Sequence, residues 1–314
     1  MKEIDVFARA GHHVAMKSAP DILCIGSVLW DVIGRAPVAL HPGADMPGRI
    51  RRLPGGVALN IAMTLGRFGL TPAVLTAIGR DSEGEELIAA CARLGIVTEH
   101  AHRPDDLPTD VYMAIEGADG LAAAIADAHT LEAVGDAILA PLEDGRLGSE
   151  ERPYEGVVAL DGNLTRDLLA DIAGRESFRA ADLRVAPASP GKATRLGPLL
   201  GHPSATLYVN CEEAGLITGT QPRDAAEGAE ALLAAGARRV LVTDGGNGAA
   251  EGHAGAVRFA PAPRVKVSRI TGAGDTFMAA HIAAERAGAA PAQALERALG
   301  AAAAFVSGQD PTST

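Results

Sequence analysis

Arg269-Ile270-Thr271-Gly272-Ala273-Gly274-Asp275-Thr276-Phe277-Met278-Ala279 is the stretch on which the reading of this chain turns. A hydrophilic stop, Lys266 to Arg269, gives way to two glycines flanking an alanine, then to one acid. From Phe277 onward follows an apolar run with the composition of a buried helix. Glycines at a helix entrance let successive backbone N–H groups turn toward one point, and the helix dipole adds partial positive charge there. An anion fits such a nest. Asp275 sits inside it, and an acid there repels a phosphate unless its task is to take a proton from an attacking hydroxyl. That layout belongs to small-molecule kinases; the plainer alternative is a glycine-containing helix start with an early-turn acid. Phe277 stands where a dinucleotide fingerprint requires glycine, and no G-x-x-x-x-G-K-[ST] loop occurs, so Rossmann and P-loop readings fall away.

The chain has 314 residues, enough for one large α/β domain or two smaller ones. A net charge of −11 argues against nucleic acid or an anionic membrane as partner, since both need clustered Lys and Arg. Cys24, Cys91 and Cys211 are odd in number and far apart, so neither a disulfide framework nor a zinc site is expected. A reducing cytoplasm is the natural compartment. No apolar run reaches the length of a transmembrane helix, and residues 1–20, with His12-His13, lack the apolar core of a signal peptide. They read as a short appendage before the first strand. The main domain is expected over 21–314.

From residue 21 short apolar runs alternate with longer helical ones. Asp21 to Gly26 reads as a buried strand, and 56–68 as a helix whose Val57, Ile61, Leu65 and Phe68 share one face. Residues 73–78 read as a strand and 83–94 as a helix closed by Gly95. Further strands are expected at 157–160, 183–186, 206–209 and 240–242, each followed by helix-compatible sequence, with two helices at about 273–287 and 291–306. This alternation implies a mostly parallel sheet with helices on both faces. Residues 32–53 and 108–126 break the rhythm and read as a small antiparallel excursion, a lid over a pocket or an edge hairpin, turning at Gly117-Ala118-Asp119-Gly120. Residues 141–155 read as a polar surface loop.

Four further segments bear on the same chemistry. Gly55-Gly56 precedes the helix carrying Asn60; two glycines allow a ligand close to the backbone, and Asn60 offers an amide to hydroxyls. Asp31, just past the first strand, lies where α/β proteins bind ligands and can accept two bonds from a vicinal diol. Asn210-Cys211-Glu212-Glu213 follows another strand end, so its acids could hold water on Mg²⁺. Thr243 to Gly248 is a glycine-rich turn suited to wrapping a nucleotide. Each alone is a common strand-to-helix turn.

Together and in this order, PGGVALNIA, NCEE, TDGGNG and TGAGDTF resemble the ribokinase-type (PfkB) carbohydrate and nucleoside kinases, from about residue 21 to about 308. The resemblance implies a three-layer αβα sandwich with a small β lid, and a homodimer through that lid. It implies Asp275 as catalytic base and the amides of Gly272, Ala273, Gly274 and Asp275 as an anion hole. Asp31, Gly55, Gly56 and Asn60 would bind the acceptor; Thr243, Gly245 and Gly248 would line the ATP side; Asn210 and Glu213 would position Mg²⁺ through water.

PGGV-x-x-N-I-A, ALDGNL at 159–164, Ala186-Pro187-Ala188-Ser189 with Lys192, and Ala124 to Asp127 resemble the pseudouridine kinase branch, which phosphorylates the 5′-hydroxyl of a C-nucleoside. Three departures stand out. Arg269 replaces an acid that helps bind a monovalent cation in ribokinase-like members, so potassium activation is not expected. Leu29 replaces an asparagine, and the neighbouring Trp30 either stacks on a base or sugar or packs in the core. Val57 replaces a lysine of ribokinases, which argues against free ribose. The alternatives are a kinase for a simple sugar or sugar acid, and a non-catalytic ligand-binding relative; retention of Asp275, Gly272, Gly274, Asn210 and Glu213 disfavours the latter.

Overall fold

The computed structural model describes residues 20–313 except 42, 44 and 119. The appendage expected at 1–20, including the histidine pair, lies outside the described residues apart from Pro20, as does Asp119 of the expected lid turn.

In chain order the strands are β1 (Ile22–Ile25), β2 (Leu29–Arg35), β3 (Arg49–Gly55), β4 (Pro72–Leu75), β5 (Val111–Gly117) and β6 (Gly120–Asp127). They continue as β7 (Val157–Asp161), β8 (Asp182–Ala186), β9 (Ala205–Asn210), β10 (Arg239–Thr243), β11 (Gly248–His253) and β12 (Ala256–Pro261). The helices are α1 (Val57–Arg67), α2 (Ser82–Arg93), α3 (His129–Val134), α4 (Arg166–Gly174), α5 (Cys211–Thr218), α6 (Ala225–Ala234), α7 (Ala273–Arg286) and α8 (Pro291–Val306).

Eight strands form one sheet in the order β12-β11-β10-β9-β8-β7-β1-β4. From β10 to β4 all pairs are parallel; β11 and β12 add an antiparallel edge. All four residues of β1 are fully buried, as expected of a strand covered on both faces. Leu23 and Ile25 join one core with α4, α5 and α6, whereas Ile22 and Cys24 join a second core with α1, α2, α7 and α8. Helix, sheet and helix therefore stack as three layers, the αβα sandwich that the resemblance implied. In α1, Ile61 and Leu65 are fully buried while Val57 and Phe68 are only partly so. Ala58, Leu59 and Ala62 are buried as well, so the helix is sunk deeper than one apolar stripe predicts.

The second sheet corrects two expectations. It has four strands in the order β3-β2-β5-β6, and its central pair, β2 with β5, is parallel rather than antiparallel. Both strands pair Trp30 with Val111 at one end and Arg35 with Glu116 at the other, and each returns through its own antiparallel partner. Asp31 lies inside β2, not in the turn after β1. The hairpin of β11 and β12 was not anticipated, because GAAEGH carries no alternation of apolar and polar residues. The loop expected at 141–155 starts later: Pro141 and Leu142 are buried in a 3-10 turn.

Candidate active site

The parallel strands β1, β7, β9 and β10 all end at one edge of the sheet, where Ser27, Asp161, Asn210 and Thr243 gather with the N-termini of α1 and α7. That edge is where α/β sheets take ligands.

Helix α7 starts from Gly272, whose φ of 88° is left-handed and favours glycine. The Gly274 and Asp275 N–H groups take no hydrogen-bond partner among the described residues. The Ala273 N–H is committed to the Ile270 carbonyl at 3.0 Å. Three of the four amides expected to form an anion hole, those of Gly272, Gly274 and Asp275, are therefore open among the described residues, and Ala273 contributes the turn that sets them.

Asp275 accepts a hydrogen bond at Oδ2 from Asn60 Nδ2 at 2.9 Å. Burial pushes its carboxyl up to about 7; the Asn60 amide opposes that shift, and the charges of Asp161, Asp31 and Glu213 add to it. Burial also pushes Asp31 up to about 6. The Asp31 side chain has no hydrogen-bond partner among the described residues, so its two oxygens are free acceptors.

The glycine pair has a different use from the one expected. A side chain at Gly55 would collide with the Asp31 carboxylate, and one at Gly56 (φ 96°) with the Ser27 carbonyl. The room they leave is filled by the protein itself, and Gly55 and Gly56 shape the site by admitting Asp31 and Ser27. Trp30, in contrast, is 6% exposed and donates its indole N–H to the Glu83 carbonyl at 2.8 Å. It packs and does not reach a ligand.

Asn210 and Glu213 form a reciprocal cap on α5. Glu213 N–H donates to Asn210 Oδ1 and Asn210 N–H donates to Glu213 Oε2, both at 2.8 Å. Glu213 is buried, and that burial lifts its carboxyl to about 7. No cluster of three His, Cys, Asp or Glu able to hold a metal exists among the described residues. One free Glu213 oxygen fits Mg²⁺ held mainly by phosphate oxygens and water, not a protein cage.

Thr243, Gly245 and Gly248 line a cavity of about 560 Å³ whose other walls are mostly apolar, among them Val265, Val267, Phe277, Leu299 and Val306, with Arg264 as the one charged lining residue. Ala273 and Gly274 also line it, so the cavity reaches the start of α7. The walls supplied by Val265, Val267 and Ile270 escaped the sequence reading, which took 266–269 for a polar stop. A more open depression of about 630 Å³, lined by His102 to Leu107 with Ala133 and Val134, holds none of these residues.

Asp161 was also missed as a functional candidate. It is fully buried beneath Ser27 and α1, and only its DGN turn signalled it. Arg269 lies with its guanidinium 3.7 Å over the Phe305 ring and donates Nε–H to the Phe305 carbonyl at 2.9 Å.

An acid at a helix N-terminus with open amides, an unpaired carboxylate opposite and an apolar cavity behind define a phosphotransferase acting on a hydroxyl group. Residues 19–314 match the family model described as pfkB family carbohydrate kinase. The chain belongs to that family. It is 27% identical over 269 residues to pseudouridine kinase of Escherichia coli, covering 84% of this chain and 83% of that one. It is also 27% identical over 265 residues to ribokinase of Haemophilus influenzae, covering 81% of each. A carbohydrate kinase from Agrobacterium tumefaciens superposes with a TM-score of 0.76 at 27% identity, covering 94% of both chains. Among the described residues no helix is long and apolar enough to cross a membrane.

Proposed function

We propose that this sugar or nucleoside kinase transfers the γ-phosphoryl group of ATP to the 5′-hydroxyl of pseudouridine. The observation that carries the chemistry is Asp275, near neutral in pKa, beside the open Gly274 and Asp275 amides. Asp275 takes the hydroxyl proton as the oxygen attacks; the amides receive the phosphoryl charge; Asp31 accepts bonds from the sugar hydroxyls. The apolar cavity suits an adenine ring, with Thr243, Gly245 and Gly248 along it. Mg²⁺, when bound, neutralises phosphate charge; Asn210 and Glu213 would hold it through water.

The choice of pseudouridine rests on the motifs shared with that branch, on the Escherichia coli relative, and on Val57, which offers no ammonium to a free sugar. Lys192, whose ammonium donates to Asn163 Oδ1 at 2.6 Å, retains further donors for a base carbonyl. The enzyme works in the cytoplasm. Its lid exposes Ile50, Met113, Ile115 and Ile125 on one face, which suits pairing with a second copy.

An ADP-release assay over pseudouridine, uridine, ribose and fructose tests the assignment. Pseudouridine is expected to give the highest kcat/KM. A larger value for ribose or fructose overturns the substrate and leaves the kinase.

A further inference from the structure

One carboxylate at the ligand edge has no part in the scheme above. Asp161, at the end of β7, is fully buried, and a buried carboxylate is costly unless its lone pairs are satisfied. Here they are. Oδ2 accepts from the Ser27 N–H at 2.8 Å, the Ser27 hydroxyl at 3.1 Å and the Ala58 N–H at 3.0 Å; Oδ1 accepts from the Asn163 N–H at 2.7 Å.

Ser27 extends the same grip. Its Oγ accepts from the Val57 N–H at 2.9 Å and from Asn163 Nδ2 at 2.8 Å, and its carbonyl accepts from the Leu59 N–H at 3.3 Å. Three successive N–H groups of the first turn of α1 thus end on Ser27 or Asp161. The N-cap residue of α1, Gly56, has no side chain to do this. Helices normally cap these donors with a neighbouring Ser, Thr, Asp or Asn. In this chain Ser27 takes two of the three, and the third, Ala58, reaches a carboxylate 103 residues away that brings a negative charge to the helix N-terminus.

The sequence makes room for it twice. A side chain at Gly26 would collide with the Asp161 carboxylate, as one at Gly56 would with the Ser27 carbonyl. One turn into α1, Asn60 donates its N–H to the Gly56 carbonyl at 2.8 Å and its side chain to Asp275 at 2.9 Å. A local cap would satisfy α1 equally well but would leave its angle to the sheet free. A cap from β7 ties that angle to the strand edge, and with it the reach of Asn60 to Asp275.

We propose that Asp161 is a positioning residue for phosphoryl transfer, acting through α1 to hold Asn60 against Asp275. The proposal rests on Asp275 being the base. The charge of Asp161 also adds to the burial that raises the Asp275 carboxyl.

A double-mutant cycle tests it, with kcat at saturating acceptor and ATP, KM for ATP, and melting temperature. Asp161→Asn is expected to lower kcat about tenfold or more while KM for ATP stays within about twofold, because α1 does not line the nucleotide cavity. If Asp161 acts through Asn60, combining it with Asn60→Ala leaves kcat within about twofold of the worse single variant. Losses that multiply mean that Asp161 only stabilises the fold, and overturn the proposal. Should Asp161→Asn not fold, Ser27→Ala removes the hydroxyl that joins Asp161 to the Val57 N–H, leaves the Ala58 N–H bond in place, and is subject to the same cycle. Wild-type kcat in both folded Ser27→Ala and folded Asn60→Ala overturns the proposal too. Asp275→Asn is measured alongside: if it keeps its turnover, the base assignment fails and this proposal with it. If Asp275→Asn is inactive while the cycle is multiplicative, only the role of Asp161 fails.

Discussion

Trp30 and Asp31 are adjacent in β2 and, because side chains alternate along a strand, they meet different surroundings. Trp30 turns to the body, under the Arg52 guanidinium at 4.1 Å, and its indole N–H is satisfied by Glu83. Asp31 pairs in register with Leu53 and Tyr112 and carries an unpartnered carboxylate. Asp31→Ala is therefore expected to raise KM for the acceptor about ten- to a hundredfold, the effect of losing a charged hydrogen bond of roughly 1.5–3 kcal/mol, with KM for ATP unchanged. Titration of KM for both substrates checks this, and an unchanged acceptor KM would make Asp31 a strand residue only. As the proposed base, Asp275 must be free of its proton for catalysis. With the carboxyl near 7, kcat is expected to fall about tenfold between pH 8 and pH 6, and a profile flat down to pH 5 would dismiss it as the base.

At the scale of elements, the two C-terminal helices explain why Arg269 is not a vacancy in the family pattern. Its guanidinium sits on Phe305 and bonds a carbonyl at the C-terminal end of α8, where the helix dipole favours a cation by roughly 0.3–1 kcal/mol. Ser268 adds its N–H to the Val306 carbonyl at 2.7 Å. The segment before α7 is thus fastened by the protein's own charge. Replacing K⁺ by Na⁺ or a large organic cation at constant ionic strength is expected to change the rate by less than about twofold. A steep and specific K⁺ requirement would show that other groups build a cation site. Helix α5 carries a parallel lesson: the reciprocal Asn210–Glu213 cap accounts for both residues structurally, and only the free Glu213 oxygen speaks for the metal.

For the whole molecule, what was legible in the sequence is what short-range chemistry writes there. Strand ends, helix faces and the glycine-flanked start of α7 depend on neighbours, so the sandwich and most residues at its ligand edge could be placed. The parallel pairing of β2 with β5 could not, because it joins residues about eighty positions apart. Nor could Asp161, whose partners Ser27 and Ala58 lie 134 and 103 residues away. Nor could the fit of Gly55 against the Asp31 carboxylate, a group that belongs to the protein itself. In the proposed function these parts serve one acid, Asp275. Its folded pKa is raised, so the stability it contributes is present below its ordinary value and is lost as pH rises through about 7. Asp275→Asn at pH 8, read by kcat with melting temperature as control, is the most direct test. Turnover should fall about 10²–10⁴-fold while the melting temperature holds or rises, since asparagine keeps the shape and removes a costly charge. A folded variant with near wild-type turnover would contradict the assignment of Asp275 as the base.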